Sequence, residues 1–191
     1  MKNNLKKLVI SAMLLALGLV LPFLTGQLQQ IGNMLLPMHI PVLLCGFICG
    51  PWYGLSVGFI MPLMRSMLFS MPVFFPNAVS MAFELGTYGF LAGFLFTNAR
   101  WQCVRSLFRC LVMAMIGGRV VWGIVQTVLL GFGENRFTFG AFLSGAFLNA
   151  IPGIILQLVL IPAIMLALHK THLVPFRNNR HCHHGEKADA K

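Results

Sequence analysis

The chain has 191 residues, of which 58% are hydrophobic and only 9% are charged, whereas an ordinary soluble domain is about 25% charged. A chain of this length cannot hide so much apolar surface in one aqueous core, because small domains leave much of their surface exposed. The composition therefore excludes an ordinary soluble domain and predicts an all-α integral membrane protein.

Six apolar segments follow one another along the chain, and each is predicted to be a transmembrane helix. In chain order they cover about residues 8–24, 35–49, 52–69, 78–97, 107–131 and 139–168. The second is short for the ~20 residues that a full crossing needs. The first is interpreted as a retained helix and not as a signal peptide, because no clear small-x-small cleavage site follows it. Residues 1–170 are thus predicted to form one six-helix membrane domain, with residues 171–191 as a polar cytoplasmic tail.

The positions of the basic residues predict the topology. The formal net charge is +10, and eleven of the 14 basic residues fall in three clusters that flank apolar segments: Lys2, Lys6 and Lys7; Arg100, Arg105 and Arg109; and the stretch 170–191. Such clusters are typical of cytoplasmic loops, and six crossings put both termini on one side. The N- and C-termini are therefore predicted to be cytoplasmic. Since the charge flanks membrane spans, no nucleic-acid partner is predicted.

The sequence contains no pattern typical of an enzyme or of a resident cofactor. HExxH, GxSxG and paired aspartates are absent, and so is a Walker phosphate loop, which excludes ATP hydrolysis by that route. The five cysteines are an odd number, which argues against a complete disulfide framework. The His/Cys-rich tail at 181–186 has possible metal ligands but is interpreted as an adventitious binder. The chain is predicted to be neither an enzyme nor a cofactor or metal protein.

Glycines recur every four residues at the junction of the second and third segments: Gly46, Gly50, Gly54 and Gly58. On a continuous helix this spacing would make one smooth face for close backbone contact. Pro51 interrupts the pattern, so Gly50 is a candidate for the turn instead. The spacing predicts tight packing of the second and third helices and no ligand role.

A set of polar side chains lies inside the predicted spans, where one charge at the bilayer centre costs about 2.5–3.5 kcal/mol. The candidate substrate-binding residues are Arg65, Glu84, Tyr88, Arg119, Trp122, Gln126 and Asn149. Residues four apart share a helix face, so Glu84 and Tyr88 point the same way, and the fifth helix carries a stripe of charge, indole and amide. One carboxylate cannot neutralise two arginines, and the excess positive charge favours a ligand with an anionic group.

Purely structural roles are the alternatives for this set. Glu84 could pair with Arg119 or with Arg65 and brace the bundle, and Arg65 could snorkel toward the outer interface. His39, between Met38 and Ile40, is interpreted as a packed, hydrogen-bonded histidine. A stand-alone secondary transporter or small channel is the alternative function, although Glu84 is the only carboxylate within the predicted spans.

The first segment reads "SAMLLALGLVLPF", in which Ala12 and Ala16 form a small-xxx-small pair that permits close approach of another helix. Together with six short spans and the absence of an ATPase motif, this pair resembles the substrate-binding S component of energy-coupling factor (ECF) vitamin transporters. The segment "LLPMHIPVLLCGFICGPWYGLSVGFIMPLMRSML" is similar to that family's second and third helices.

The resemblance implies a function, partners and a location. The chain would bind a vitamin or related micronutrient with high affinity from outside, at a site in helices four to six. It would work with a transmembrane coupling subunit and two ATPase subunits in a prokaryotic cytoplasmic membrane, and Ala12 and Ala16 would contact the coupling subunit. The arginine surplus makes pantothenate the first expectation for the substrate, with riboflavin or folate next.

Overall fold

A computed structural model of the chain describes residues 2–24, 38–70, 72–99, 104–131 and 151–170. These residues contain no strand, and they form six helices: α1 Lys2–Leu24, α2 His39–Cys49, α3 Pro51–Phe69, α4 Val79–Asn98, α5 Val104–Gly131 and α6 Ile151–Lys170. A π-helical turn, Phe74–Ala78, leads into α4. The all-helical prediction is confirmed for this part of the chain. Residues 139–150 of the predicted sixth span and the tail at 171–191 lie outside it.

Among the described residues, three stretches of helix are long and apolar enough to cross a membrane: Asn4–Pro22, Phe74–Asn98 and Val104–Leu129. His39–Cys49 and Gly153–Leu168 are apolar but shorter. Large hydrophobic side chains on α1 and α5 are exposed, among them Met13 and Ile124, which is typical of a surface that faces lipid. The structure therefore describes a multi-pass membrane protein, and the number of six crossings stays a prediction.

Consecutive helices from α1 to α5 run in opposite directions. The Cys49 thiol donates to the Lys7 carbonyl at 3.5 Å, and the Cys45 thiol donates to the Ser11 hydroxyl at the same distance, so α1 and α2 are antiparallel. Both cysteines are buried and free, and their spacing of four residues puts them on one helix face. The start of α1, the α2–α3 turn and the end of α4 thus lie at one end of the bundle.

The α2–α3 turn depends on the two residues that break the helical pattern. Gly50 has a φ of +104°, a conformation that L side chains rarely adopt. Pro51 follows as the first residue of α3, where its missing N–H costs nothing and its fixed φ suits a helix start. Gly50 therefore serves the turn and not a packing face.

The other glycines bring three helix backbones into contact, with α4 against both α2 and α3. A Cβ on Gly54 would lie 2.5 Å from the Gly89 carbonyl oxygen and 2.8 Å from the Gly46 Cα. Gly58 lies against the backbone of Leu85 and Gly86 in the same way. The predicted close packing of α2 and α3 is confirmed, and α4 joins it through its own glycines.

An apolar core fills the space between α2, α4, α5 and α6. Leu43, Phe47, Leu111 and Ile161 are buried members of it, and the Phe47 ring packs edge-on against Phe96 with 5.3 Å between centroids. This core lies on the side of the bundle where the α2–α3 turn is. It packs together the helices that carry the polar cluster described next.

Candidate functional site

Four polar side chains from three helices meet inside the bundle: His39, Glu84, Tyr88 and Arg119, which we name the Glu84 cluster. His39 begins α2, Glu84 and Tyr88 lie one turn apart on α4, and Arg119 lies near the middle of α5. The exposed fractions are 1% for His39 and Tyr88, 2% for Glu84 and 7% for Arg119. Such burial is unusual for ionisable groups unless they are paired or functional.

The contacts of the cluster converge on one carboxylate oxygen. Arg119 Nη1 lies 3.2 Å from Glu84 Oε1, and the Tyr88 hydroxyl donates a hydrogen bond to the same oxygen at 3.1 Å. His39 Nε2 lies 3.7 Å from it, within ion-pair range but too far for a hydrogen bond. Because few water molecules can compete in such surroundings, these contacts are electrostatically stronger than they would be at a surface.

Helix packing positions the tyrosine ring between its neighbours. Gly118 precedes Arg119 on α5, and a Cβ there would lie 2.7 Å from Tyr88 Cε1. The missing side chain lets the Tyr88 ring lie directly on the α5 backbone. On its other side the ring meets His39 edge-on, with 5.1 Å between centroids and 63° between planes. The glycine therefore brings α4 close enough to α5 for Glu84 to contact Arg119.

Several buried polar atoms around the cluster have no hydrogen-bond partner among the described residues. They are His39 Nδ1 and Nε2, Arg119 Nε and Nη2, and Gln126 Oε1. A buried donor or acceptor left without a partner costs about 1–3 kcal/mol, and more when it is charged. Four of these atoms belong to His39 and Arg119 of the cluster, and they indicate a place where a polar ligand would find partners.

Three of the predicted site residues belong to this cluster, and two more lie further along α5. Glu84, Tyr88 and Arg119 are brought together, and Gln126 is buried two turns further along α5. Trp122, between them on α5, is half-buried. Asn149 lies outside the described residues. Of the partners considered for Glu84, the structure places Arg119 in contact with it.

Arg65 occupies a different level of the bundle. It is half-buried on α3, and the α3–α4 register pairs Gly58 with Leu85 and Gly54 with Gly89. Continued along α3, this register places Arg65 opposite residues 78–79, about 8 Å along the axis from Glu84 at ~1.5 Å per residue. Arg65 thus lies nearer than the cluster to the end of the bundle where α4 begins.

His39 is the member that the sequence predicted to be a packed, hydrogen-bonded histidine. It is buried, as expected, but its ring nitrogens lack hydrogen-bond partners among the described residues and it faces Glu84. The available signal was its position, because it is the only histidine within the six predicted spans. An ionisable side chain inside a membrane helix is a candidate for function by default.

Ala12 and Ala16 lie on the outer surface of the bundle. Both are exposed on α1, whereas Ser11 and Gly18 of the same helix are buried against its neighbours. The small-residue face is therefore accessible to a further helix. As for metals, no group of three or more His, Cys, Asp or Glu side chains is placed to hold an ion within the described ranges.

Comparison with known proteins gives one match. A family model described as "ECF transporter, substrate-specific component" matches residues 6–165, which includes all six described helices except the ends of α1 and α6. A search of curated proteins found no match, and neither did a search of solved structures. Because the matched region covers most of the 191 residues, the chain belongs to the family of substrate-specific components of ECF transporters.

Proposed function

We propose that this S component is the high-affinity binding subunit for uptake of a vitamin or related micronutrient that carries an anionic group. Pantothenate is the first candidate; folate, which is also an acid, and riboflavin, which is uncharged and would bind without an ionic contact, are next. The proposed site comprises Arg65, Glu84, Tyr88, Arg119, Trp122, Gln126 and Asn149. The chain would work in the cytoplasmic membrane of a prokaryote.

Family membership supports the broader part of this proposal. A substrate-specific component is a membrane subunit that binds a small molecule for transport, so the chain is a transport subunit and not an enzyme. Such a component associates with an ECF module, which consists of a transmembrane coupling subunit and ATPases. The exposed positions of Ala12 and Ala16 support α1 as the surface that meets the coupling subunit.

The substrate class is inferred from the buried Arg119 donors that have no hydrogen-bond partner among the described residues. This arginine is 7% exposed, yet two of its three nitrogens have no hydrogen-bond partner among the described residues. A pair whose only role was to brace the bundle would be expected to satisfy its donors, because unsatisfied buried groups reduce stability. An anionic group on a solute would satisfy them. Arg65, nearer the end of the bundle, would add positive potential along the path of entry.

The test is direct identification of the ligand. The protein, purified in mild detergent, is examined by native mass spectrometry for a bound small molecule, and by titration calorimetry with pantothenate, riboflavin, folate and thiamine. We expect a bound molecule or submicromolar affinity for one acidic vitamin. Binding of none of a broad vitamin panel, together with an empty protein in the mass spectrum, would contradict the proposal.

Dependence on the ECF module is tested separately in proteoliposomes. Uptake should require the coupling subunit and both ATPases together with ATP. Concentrative uptake by this chain alone would instead support the secondary-transporter alternative.

A further inference from the structure

The guanidinium of Arg119 offers one complete edge to a ligand. Nη1 is engaged by Glu84 Oε1 at 3.2 Å, while Nε and Nη2 have no hydrogen-bond partner among the described residues. Nε–H and the adjacent Nη2–H point in parallel from one side of the planar group. This spacing matches the two oxygens of a carboxylate, which arginine commonly binds through two parallel hydrogen bonds.

We infer that Arg119 binds a carboxylate of the transported substrate through this Nε–Nη2 edge, and that Glu84 is a positioning residue that holds the guanidinium in place. The inference rests on the proposed function, since it names the chemical group that the binding site takes.

The contacts of Glu84 support a positioning role for this residue and a ligand-binding role for Arg119. An ion pair optimised for stability would let the carboxylate occupy the two-donor edge of the arginine. Here the contact is made through Nη1, and the same Oε1 also accepts the hydrogen bond from Tyr88. The carboxylate therefore anchors Arg119 from one side and Tyr88 from another, and within the described ranges the two-donor edge of the guanidinium has no hydrogen-bond partner.

His39 adds a further donor close to Glu84. Its side chain is 2% exposed, and its Nε2 lies 3.7 Å from Glu84 Oε1. Neither ring nitrogen makes a hydrogen bond within the described ranges, although a neutral imidazole always carries one N–H. A bound carboxylate beside Glu84 and Arg119 would give that N–H an acceptor.

The charge balance favours a monoanion. Glu84 and Arg119 carry opposite unit charges that cancel, and Arg65, about 8 Å along the axis from Glu84, adds one positive charge. One ligand carboxylate brings the sum of these charges to zero, whereas a phosphate ester, with a charge of about −1.5 to −2 at pH 7, would leave a net negative charge buried. Burying an uncompensated charge is strongly unfavourable.

Gln126 is placed to accept a hydrogen bond from the end of the substrate opposite its carboxylate. It follows Arg119 by seven residues on nearly the same face of α5, about 10 Å along the axis at ~1.5 Å per residue. Its Oε1 is buried and has no hydrogen-bond partner among the described residues. The substrate class is therefore an elongated monocarboxylate with an O–H or N–H donor roughly 10 Å from the carboxylate. Pantothenate, with hydroxyls at the end opposite its carboxylate, has this chemistry, and riboflavin, which has no carboxylate, does not.

The experiment compares acids with their uncharged primary amides. Full-length protein in lipid nanodiscs is titrated with pantothenate, biotin and nicotinate, with the primary amide of each, and with pyridoxal 5′-phosphate as a phosphate probe. Two charge-assisted hydrogen bonds should make the preferred acid bind about 10–100-fold more tightly than its amide.

Two arginine variants test the assignment to Arg119. Arg119→Lys keeps the positive charge opposite Glu84 and so should fold, but lysine lacks the paired donors. We expect the acid-to-amide affinity ratio to fall by about tenfold or more. Arg109→Lys is the matched control, because Arg109 is exposed on the same helix, and it should leave the ratio unchanged.

Two glutamate variants test the positioning role. Glu84→Gln keeps an oxygen that accepts from Tyr88 and Arg119, so the affinity ratio should stay within about threefold of the original. Glu84→Ala removes that anchor and should reduce the ratio by about tenfold or more. A merely structural role for Glu84 would lower thermal stability in both variants without changing the ratio in the folded protein.

The outcomes separate this inference from the proposed function. Equal affinity for an acid and its amide, an unchanged ratio in Arg119→Lys, preference for the phosphate probe, or a co-purified vitamin without a carboxylate would each overturn the inference while a binding subunit remains. If no vitamin binds and none co-purifies, both the inference and the proposed function are wrong.

Discussion

Arg119 and Glu84 contact each other across the α4–α5 interface, with 3.2 Å between Nη1 and Oε1 and side chains that are only 8% and 3% exposed. Both charges lie within membrane-embedded helices, so each depends on the other for compensation. The backbone arrangement that permits the contact comes from Gly118, on which the Tyr88 ring lies. Close helix packing at Gly118 therefore brings the two charged side chains within ion-pair distance of each other.

Removing one charge of this pair should lower the free energy of unfolding more than removing both charges. Arg119→Leu leaves Glu84 as a buried, uncompensated charge, and we expect the free energy of unfolding to fall by about 3–5 kcal/mol. Glu84→Leu/Arg119→Leu replaces both charges by apolar groups, which is often nearly neutral, so most of the loss should be recovered. The free energy of unfolding of both variants is measured on ligand-free protein in the same detergent. A double variant no more stable than Arg119→Leu would show that the two charges do not compensate each other.

Two glycines of α4 that lie one turn apart should respond differently to alanine. In Gly89→Ala the new Cβ would meet the backbone of Gly54, with its Cα 2.9 Å away and its carbonyl nearer still. Backbone cannot move aside easily, so we expect a loss of about 1–3 kcal/mol in the free energy of unfolding.

Gly86→Ala is the matched control for this substitution. Its Cβ would make an ordinary contact of 3.4 Å with the end of the Leu55 side chain, and alanine is the better helix former by about 1 kcal/mol. Stability should stay the same or rise slightly in thermal unfolding. Similar losses in both variants would contradict the described α3–α4 packing.

Arg65→Ala should affect ligand binding more than folding. Arg65 is half-buried, about 8 Å along the axis from Glu84, and we expect its positive charge to strengthen binding of an anionic vitamin. Affinity for the ligand identified by mass spectrometry should fall by about tenfold, or ~1.4 kcal/mol, in calorimetric titrations. Arg109→Ala, at an exposed position on α5, should leave it unchanged. An equally large loss of ligand-free thermal stability would instead assign Arg65 a structural role.

Large side chains at Ala12 and Ala16 should reduce transport without changing ligand affinity. Both positions are exposed on α1, so Ala12→Trp/Ala16→Trp should leave ligand affinity unchanged but block close approach of the coupling subunit. Uptake of labelled ligand by the complete ECF complex in proteoliposomes should fall by about tenfold or more, as expected when ~1.4 kcal/mol of association is lost. Ile116→Trp/Val120→Trp, an exposed pair with the same spacing on α5, is the control. Undiminished uptake with both tryptophans on α1 would refute the docking role.

The helices were predictable because each depends on local composition. The predicted spans 52–69 and 78–97 correspond to α3 Pro51–Phe69 and α4 Val79–Asn98 within one residue at each end. The break at Gly50–Pro51 was likewise readable, since a missing Cβ and a missing N–H act on the residue that carries them. The family, resembled already through α1 to α3, is the one whose model matches.

The arrangement of the polar residues was predictable only in part. Helical periodicity placed Glu84 and Tyr88 on one face, and the hydrogen bond between them follows from that spacing. Periodicity within one helix says nothing about which side chain of another helix lies opposite. The partner of Glu84 therefore stayed open between Arg65 and Arg119, and the contribution of His39 was missed.

Composition and the order of residues thus determined by themselves that this is a helical membrane protein, where its described helices end to within two residues, and that its charges are placed where lipid would not tolerate them alone. Hydrophobicity and helix formation act over a few turns of chain, so sequence is enough to read them. Only the tertiary structure decided that Arg119 meets Glu84, that Tyr88 and His39 join them, and that Arg65 lies at another level. These contacts depend on how closely the glycines let α3, α4 and α5 approach, and on the register that this approach imposes.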